Sequence, residues 1–395
     1  MNEPRWRVAT LVALAIAISY LDRQTLPVAI AAIQREIPVT NTQFSDLQSA
    51  FLFAYALMYA GGGKLLDVLG TRKGFTVIMA FWSLACALHG FAATFAMLAV
   101  CRFLLGMGEG GGFPAATKVI AERFSTNERS TAMGYINAGT AVGAVLAPPL
   151  IAYIIGNFGW RPVFFVTGLV GLVWAAAWWR VPPAPAAATA SEPAVPWLKL
   201  LGMRNVWALV SAKFLTDAAW YFYVFWLPKY LYDVRGFDTK QVGYFAWIPY
   251  AAAGFGSLTG GWFSSYLLQR GVELSRARKF AMGAAVSLMP WAFFITQVPV
   301  EMALGLFSMA FFGQQAWSTI VMILPADLFP KSTVGAVAGL VGFGGAMGGV
   351  ALGSVVGRML DAGTGYQPVF AIVSMMHVTA FFWLLLMLRM QRRHS

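Results

Sequence analysis

Charged residues are scarce in this chain of 395 residues: Asp, Glu, Lys and Arg make up 11% of it, against about 25% in a typical soluble domain. Hydrophobic residues make up 59% of the chain, and the mean hydropathy is +0.66. This composition excludes a disordered chain and a soluble globular enzyme. Apolar segments recur from end to end, which indicates an integral membrane protein whose spanning helices each need about 20 apolar residues.

Cysteine and histidine are also sparse. The two cysteines, Cys86 and Cys101, both lie in apolar stretches, which excludes a disulfide framework and a cysteine metal site. The three histidines, His89, His377 and His394, are scattered along the chain and form no zinc-type ligand pattern. We therefore expect no metal and no organic cofactor. No pair of catalytic groups near a membrane surface is found either, so we expect no enzymatic activity.

The apolar runs predict an all-α membrane protein with about twelve spans. A segment rich in Pro and Ala, residues 181–204, divides the chain. We therefore predict a six-helix bundle over residues 1–180, a cytoplasmic linker over 181–204 and a second six-helix bundle over 205–395. The predicted spans lie at roughly 8–31, 45–66, 74–95, 97–121, 130–155, 161–180, 205–232, 240–269, 278–298, 301–326, 333–359 and 367–390.

The net charge of +12 is explained by membrane topology. Most of the 28 Lys and Arg residues flank the predicted spans on one side, and Lys and Arg concentrate on the cytoplasmic side of membrane proteins. Both termini are therefore expected in the cytoplasm. Because no soluble basic domain exists in the sequence, we do not expect a nucleic-acid partner.

The two halves of the chain echo each other. Residues in the first half recur at a constant offset of 205 positions, which is typical of transporters built from two repeated bundles. The spacing of glycines at Gly139 and Gly143, and at Gly344 and Gly348, predicts close helix approach. The repeated residues are Glu122, Phe124, Gly134, Gly139 and Gly143, matched by Asp327, Phe329, Gly339, Gly344 and Gly348.

Ionisable residues inside predicted spans are expensive to bury and usually face a partner or a water-filled cavity. Arg102 and Glu109 are seven residues apart, which places them on one face of a helix. Lys213 and Asp217 are four apart and can pair directly. Their pairing has a structural interpretation, as an ion pair that fixes a helix contact.

Asp22 and Arg23 are adjacent, so their side chains point about 100° apart and should meet different partners. In the first half, two acids balance two arginines. Protonation of one acid would leave one positive charge, suited to a single carboxylate. This count motivates the hypothesis of proton and organic-anion symport.

Gln314 is the offset equivalent of Glu109. Together with Gln315 it forms a neutral hydrogen-bonding pair that either joins helices or faces a substrate. Aromatic and amide residues suited to a sugar also lie in the spans, although most aromatic residues of membrane proteins are core or interface residues. These candidates are Tyr55, Asn137, Trp220, Tyr223, Trp247 and Tyr250.

A short motif follows the second predicted span: Gly63, Asp67, Gly70, Arg72 and Lys73 in the pattern G-x-x-x-D-x-x-G-x-R-K. The motif resembles the signature loop of the major facilitator superfamily. The resemblance implies that these residues gate conformational change rather than bind substrate. The second-half counterpart, Gly261 to Ser265, lacks the acid. A G-x-G-x-x-G pattern at 106–111 lies inside an apolar span, so we assign it to helix packing and not to nucleotide binding.

Within that superfamily the chain resembles the anion:cation symporter family. The similarity rests on Tyr20 to Arg23, Phe51 with Tyr55, Arg102 with Glu109, and Phe124 to Arg129 followed by Ser130. It implies that Arg23 binds a substrate carboxylate, that Asp22 and Glu109 carry protons, that Arg102 couples them, and that Tyr55 contacts substrate. Protons are then the coupling ion.

Four further segments resemble the hexuronate branch of that family. They are Tyr135 to Gly139 with Ala147 to Pro149, Asp217 to Trp220, and Phe245 to Pro249. Thr140 stands where galactonate transporters have glutamine, and Asp217 stands where this branch usually has glutamate. Together with Arg23 and Tyr55, which the resemblance implies, the candidate substrate-binding residues are Asn137, Thr140, Lys213, Asp217, Trp220, Tyr223, Trp247, Gln314 and Gln315.

The expected function is proton-coupled import of a hexuronate such as glucuronate or galacturonate. Three alternatives stay open: transport of another organic anion (an aldonate such as galactonate, or a small monocarboxylate), anion exchange without net proton coupling, and a transporter-like ligand sensor. The sequence has no Asn-x-Ser/Thr sequon and no organellar targeting segment, so we expect a bacterial inner membrane. The expected partners are the organic anion, protons and the lipid bilayer, with the protein as a monomer.

Overall fold

The computed structural model describes residues 4–125, 128–183 and 197–388, and within those ranges it contains helices, turns and bends but no β-strand. Seven helical segments of the described chain are long and apolar enough to cross a membrane. The all-α prediction is therefore confirmed, whereas the total of twelve spans and the side of the termini stay predictions. The seven segments are Arg5–Ile33, Val68–Phe91, Ala132–Phe158, Arg161–Trp179, Val300–Leu328, Thr333–Asp361 and Gln367–Met387.

The helices follow one another with short connections. In the first half they are α1 Pro4–Ile33, α2 Asn41–Leu88, α3 Phe95–Glu109, α4 Gly112–Arg123, α5 Arg129–Phe158 and α6 Arg161–Trp179. After the Pro/Ala-rich segment they are α7 Trp197–Leu201, α8 Arg204–Asp233, α9 Thr239–Phe245, α10 Trp247–Gln269, α11 Leu274–Val286, α12 Val300–Leu328, α13 Lys331–Asp361 and α14 Gln367–Met387. Residues 184–196 of the predicted linker lie outside the described residues. Helix α7 lies in the described C-terminal part of that linker.

Local sequence explains where several helices begin. Thr40 and Gln43 form a reciprocal capping box at the start of α2, and Asp238 and Gln241 do the same at α9. Thr94 accepts a hydrogen bond from the Met97 backbone at the start of α3. Such caps satisfy backbone N–H groups that lack a partner in the first helical turn.

Glycine changes the backbone in two helical stretches of the first half. The predicted break between the second span, 45–66, and the third, 74–95, is confirmed, because α2 consists of two helices joined across a kink at Gly70, where φ is 72° and ψ is 160°. This left-handed conformation is accessible to glycine because it has no Cβ, so the chain turns sharply there. The fourth predicted span is interrupted at Gly110 and Gly111, between α3 and α4.

Proline accounts for two further differences. The eighth predicted span is divided at Ala246, and Pro249 follows in the first turn of α10. The ninth predicted span ends as an α-helix at Val286, and a short 3-10 helix, Pro290–Phe294, continues the chain. Proline lacks the backbone donor that an α-helix interior requires, but it is tolerated in a first turn.

The described residues cluster into two compact units. The first comprises those of Met1–Thr189 together with Val224–Trp247, and the second those of Ala190–Tyr223 together with Ile248–Ser395. Residues of Val224–Trp247 contact the first unit's own helices: Trp226 meets Phe44 edge-on at a ring-centroid distance of 4.9 Å. The Tyr232 hydroxyl also donates to the Val28 carbonyl across 2.8 Å. Helix α8 therefore contributes residues to both units.

Glycines allow the closest helix crossings inside each unit. In the first unit, a Cβ added at Gly139 or Gly143 would collide with backbone carbonyls of α1, and in the second, one added at Gly348 would collide with the Phe214 carbonyl of α8. Gly344 lies against Val210 in the same crossing. The repeated glycine spacings therefore perform the same packing task in both units, as their sequence predicted.

The glycines of α3 also serve packing. A Cβ at Gly106 would collide with the Phe51 carbonyl, and one at Gly108 would collide with Trp82. Both obstacles belong to α2. The G-x-G-x-x-G pattern is therefore explained by close approach of α3 to α2, and the packing interpretation is confirmed.

Candidate functional site

The first unit buries an ion pair between α1 and α3. Arg23 Nη2 and Nε donate to Glu109 Oε2 at 3.0 and 3.3 Å, and the two side chains are 4% and 0% exposed. The Ser19 hydroxyl donates to the same oxygen across 2.7 Å. Glu109 Oε1 has no hydrogen-bond partner among the described residues. The acid therefore keeps one oxygen available while the other holds the arginine.

Aromatic rings surround the Arg23 guanidinium. Its Cζ lies 4.6 Å from the ring centroid of Tyr20, 5.2 Å from that of Phe51 and 5.0 Å from that of Tyr55. Such rings attract a cation through their negative faces and keep its surroundings apolar. An arginine held in this way is suited to recognising a carboxylate, because its planar donors match carboxylate geometry. Tyr55, predicted to contact substrate, is part of this cage.

Arg102 belongs to the same cluster but has a different partner. Its Nη2 donates to Gln48 Oε1, and its Cζ lies 4.8 Å from the Phe51 ring centroid. Phe51 therefore contacts both buried arginines. Arg102 is fully buried, and its Nε and Nη1 have no hydrogen-bond partner among the described residues. Arg102 thus retains N–H groups that can donate to an anion, or to an acidic side chain that changes its conformation.

Asp22 lies apart from the Arg23 and Glu109 pair. Its carboxyl group is fully buried, with Trp82 and Cys86 of α2 and Thr167 of α6 as polar neighbours. None of these neighbours satisfies hydrogen-bond geometry toward either carboxyl oxygen. The expectation that adjacent Asp22 and Arg23 meet different partners is therefore confirmed.

The predicted residues of α5 have local partners. The Thr140 hydroxyl donates to the Asn137 carbonyl across 2.8 Å, and both residues are half-buried. Tyr135 shares a hydroxyl contact of 3.1 Å with Thr10 of α1. The contact between Tyr135 and Thr10 joins α5 to α1, whereas the hydrogen bond between Thr140 and Asn137 lies within α5.

The second unit contains its own buried charge pair. Lys213 Nζ donates to Asp217 Oδ1 at 2.8 Å and to the Ser318 hydroxyl at 2.9 Å, so the predicted pairing of Lys213 with Asp217 is confirmed. Gly345 of α13 faces the carboxylate so closely that an added Cβ would collide with Asp217 Oδ2. The aspartate therefore fits a space bounded by glycine backbone.

Phe311 of α12 is the centre of an aromatic cluster in the second unit. Its ring centroid lies 5.3 Å from that of Trp220, 6.0 Å from that of Tyr223 and 5.1 Å from that of Tyr250. The Tyr223 hydroxyl is buried without a hydrogen-bond partner among the described residues. Three predicted aromatic candidates are thus brought together. Trp247 is 38% exposed and donates to the Tyr244 carbonyl across 2.9 Å.

The two glutamines of α12 differ in their surroundings. Gln315 is half-buried, whereas Gln314 is buried and its Oε1 contacts Nε2 of His377 on α14. Sequence reasoning did not propose His377 for the site, because it considered histidines only as possible metal ligands. An ionisable ring inside a predicted span was nevertheless a usable signal. Ser19 and Gln48 were also missed, since neutral polar residues carry no such signal.

The predicted gating loop is only partly described, because the side chain of Asp67 and the surroundings of Gly63 lie outside the described residues. Arg72 Nε donates to the Trp179 carbonyl across 2.9 Å, and its Cζ lies 4.8 Å from that indole ring. Thr71 donates to Glu122. Lys73 is exposed. The loop therefore ties α2 to the end of α6 and to α4.

The second half forms a related contact with different residues. Arg278 of α11 donates to Asp327 Oδ2 at 2.9 Å and to the Ser264 hydroxyl at 2.8 Å. Asp327 is the offset equivalent of Glu122. In each half, therefore, an acid near the end of a helix accepts a hydrogen bond from a neighbouring helix. The second half does this although it lacks the acid of the G-x-x-x-D-x-x-G-x-R-K motif.

The sequence model of the Major Facilitator Superfamily matches residues 12–348. The chain belongs to the major facilitator superfamily. It is therefore a multi-pass membrane transporter, and the resemblance inferred from its motifs is confirmed. Members of this superfamily are transporters and not enzymes.

Curated relatives cover nearly the whole chain. The chain is 30% identical to the hexuronate transporter of Escherichia coli strain K12 over 94% of this chain and 90% of that protein. It is 29% identical to a D-galactonate transporter of Escherichia coli O6:H1, covering 94% and 92%. A galacturonate transporter of Dickeya chrysanthemi is 30% identical, covering 72% and 90%.

A solved structure agrees with this fold. The crystal structure of a bacterial homologue of the human lysosomal transporter Spinster, in an inward-facing and occupied conformation, superposes with a TM-score of 0.73. The two chains are 18% identical, and the match covers 98% of this chain and 96% of the other. At that identity the similarity concerns the fold alone.

Proposed function

We propose that this transporter imports a hexuronate, such as glucuronate or galacturonate, together with protons by alternating access across a bacterial inner membrane. The observation that carries the proposal is the buried contact between Arg23 and Glu109, in which two donors of one guanidinium meet a single carboxylate oxygen. A substrate carboxylate would use the same donors. The relatives that transport hexuronate and galacturonate support this substrate class.

Competition for Arg23 gives the coupling mechanism. While Glu109 is ionised, its carboxylate occupies the donors of Arg23. When Glu109 takes up a proton, its negative charge is lost and the arginine is left without its anionic partner in an apolar setting, which is unfavourable. A substrate carboxylate restores the pairing. Proton uptake and anion binding therefore favour each other, as coupling between sites requires.

Asp22 is the second proposed proton carrier. Its buried carboxyl group has no hydrogen-bond partner in the described structure, and an unpaired buried carboxylate is costly unless it is protonated. We propose that Arg102, which retains unused donors, responds to the charge of Glu109 and Asp22 and couples the two. Protons are then the only coupling species, and no organic cofactor or metal is required.

Hydroxyl recognition is assigned to the second unit. Gln314 Nε2, Trp317 Nε1 and the Tyr223 hydroxyl are buried without partners among the described residues, and all three can donate. A sugar acid offers several hydroxyl and ring oxygens as acceptors. The rings of Trp220 and Tyr250 beside Phe311 offer an apolar surface suited to a sugar face. We propose that the ion pair between Lys213 and Asp217 holds this region in place.

We also propose that the transporter acts as a monomer.

Transport of another organic anion is the main alternative. The D-galactonate relative, which matches over the same share of this chain, favours an aldonate within that alternative. A small monocarboxylate offers a carboxylate for Arg23 but not the several hydroxyl groups of a sugar acid, which makes it the weaker candidate. Anion exchange and a ligand-sensing role remain as outcomes of the test below.

The test is uptake of labelled glucuronate into proteoliposomes with an inward proton gradient, using galacturonate, galactonate and lactate as unlabelled competitors. Accumulation above the external concentration, lost with a protonophore and competed by galacturonate but not by lactate, is the expected result. Stronger competition by galactonate would assign the aldonate alternative. Exchange without accumulation would remove the proton coupling. Binding without any flux would favour the sensor.

A further inference from the structure

The contact between His377 and Gln314 joins two helices whose other contacts fix its geometry. Phe307 of α12 meets Phe370 of α14 with ring centroids 5.6 Å apart. Further along both helices, Trp317 meets Phe381 with centroids 6.4 Å apart. Gln314 and His377 lie between these two aromatic contacts. The histidine is 0% exposed and the glutamine 1% exposed.

The atoms in contact determine which nitrogen of His377 carries the hydrogen. His377 Nε2 faces Gln314 Oε1, which is an acceptor only. Two acceptors in contact would repel, so Nε2 must donate. The ring's Nδ1 has no hydrogen-bond partner among the described residues. His89 shows the opposite arrangement, because its Nδ1 lies 2.9 Å from the Ala85 carbonyl oxygen and must donate there.

This contact also fixes the orientation of the Gln314 amide. With Oε1 engaged by α14, the amide nitrogen is directed elsewhere, and it has no partner among the described residues. Gln314 lies on the face of α12 that contacts α8: Phe311 on that face packs against Trp220 at 5.3 Å, and Ser318 accepts from Lys213 at 2.9 Å. The free end of Gln314 is therefore an N–H donor and not a carbonyl acceptor.

We infer that His377 is a positioning residue that locks the Gln314 carboxamide with its oxygen toward α14 and its nitrogen free, so that Gln314 offers only N–H donors to a hydroxyl or carboxylate oxygen of the substrate. Without His377 the amide could rotate and present either end. The inference rests on the proposed function for its substrate, but the state of the His377 ring is independent of any transport.

The first arm of the test is spectroscopic. Full-length protein with ¹⁵N-labelled histidine in lipid nanodiscs should give signals from three histidines, assigned with H377Q and H394Q. We expect His377 to carry its hydrogen on Nε2 and His89 on Nδ1. Gln314→Leu should shift the His377 signals and leave those of His89 in place. A His377 hydrogen on Nδ1, or His377 signals unmoved by Gln314→Leu, would overturn the inference.

The second arm is glucuronate uptake in proteoliposomes. His377→Phe should raise the half-saturating concentration about 5- to 10-fold, the loss expected for one oriented hydrogen bond, with the maximal rate nearly unchanged. His377→Gln, which keeps an N–H donor, should leave the half-saturating concentration close to that of the wild-type protein. The matched control is Ser374→Ala. Ser374 is a buried residue of the same helix, and among the described residues its hydroxyl donates to the Ala371 carbonyl within that helix.

A double variant separates positioning from general damage. In a Gln314→Leu background, His377→Phe should add no further change in half-saturation, because the two residues act through one bond. Additive effects, or a Ser374→Ala variant as impaired as His377→Phe, would contradict the inference. If wild-type protein transports no glucuronate, the proposed function fails, and the spectroscopic arm alone decides the role of His377.

Discussion

Arg23 and Glu109 are 86 residues apart in the chain and joined by two hydrogen bonds to the same carboxylate oxygen. Asp22, the sequence neighbour of Arg23, takes no part in that contact and lies instead beside Trp82, Cys86 and Thr167. The two acids of the first unit therefore have different polar neighbours, and only Glu109 holds the arginine.

Replacing Arg23 with lysine keeps the positive charge but removes the planar pair of donors. We expect the half-saturating glucuronate concentration to rise about 10- to 100-fold, as the loss of a charge-assisted hydrogen bond implies. Arg5→Lys is the matched control, since Arg5 pairs with Glu128 at 2.9 Å where both side chains are about one-third exposed. Equal affinities for the two variants in a concentration series of uptake would refute the role of Arg23.

Glu109→Gln removes the acid proposed to compete with substrate for Arg23. Gradient-driven accumulation should disappear, while some exchange of internal for external substrate should persist. Glu36→Gln is the control, because Glu36 pairs with Arg161 on an exposed surface, where the guanidinium holds the pKa of Glu36 below its usual range. Accumulation by the Glu109 variant at the wild-type level would exclude Glu109 as a coupling acid.

Gly345→Ala places a methyl group against Asp217 Oδ2. The aspartate or the helix must shift, which should destabilise the protein by about 1–3 kcal/mol and reduce transport. Gly339→Ala on the same helix is the control, since no atom lies within 4 Å of its added Cβ. Thermal unfolding of both purified variants measures the difference. Identical midpoints would show that the space around Asp217 is not closed.

Asp327→Asn weakens the contact that joins α11 to α12. Arg278, whose side chain is 9% exposed, would keep Ser264 but lose its ionised partner. We expect a change in the maximal transport rate with little change in half-saturation, as for a residue that controls a conformational step. The control is Arg276→Gln, whose side chain is 74% exposed. A changed half-saturation with an unchanged maximal rate would place Asp327 at the substrate instead.

Much of the fold followed from local sequence properties. The apolar runs predicted helices because a membrane-spanning backbone must satisfy its own hydrogen bonds. The glycine spacings predicted close helix approach, and the structure shows which helices meet there, α5 with α1 and α13 with α8. The signature motif after the second span indicated the superfamily. Errors arose where glycine or proline changes backbone geometry inside a predicted span, as at Gly110 and Pro290.

The pairing of Lys213 with Asp217 was also predictable, because residues four apart on a helix are neighbours. The same rule of helical geometry separated Asp22 from Arg23. It could not name the neighbours that either residue meets, since Glu109 and Thr167 lie on other helices far along the chain.

The sequence by itself determined that this protein is a helical membrane transporter with ionisable groups in its spans, since composition, periodicity and a compact motif are local properties of the chain. Only the tertiary structure decided that Glu109 holds Arg23, that Asp22 lies instead beside Trp82, Cys86 and Thr167, and that His377 engages Gln314. Those contacts depend on which helix faces meet, and that is set by packing across the whole unit, where glycine backbones let helices approach and aromatic rings fix their register.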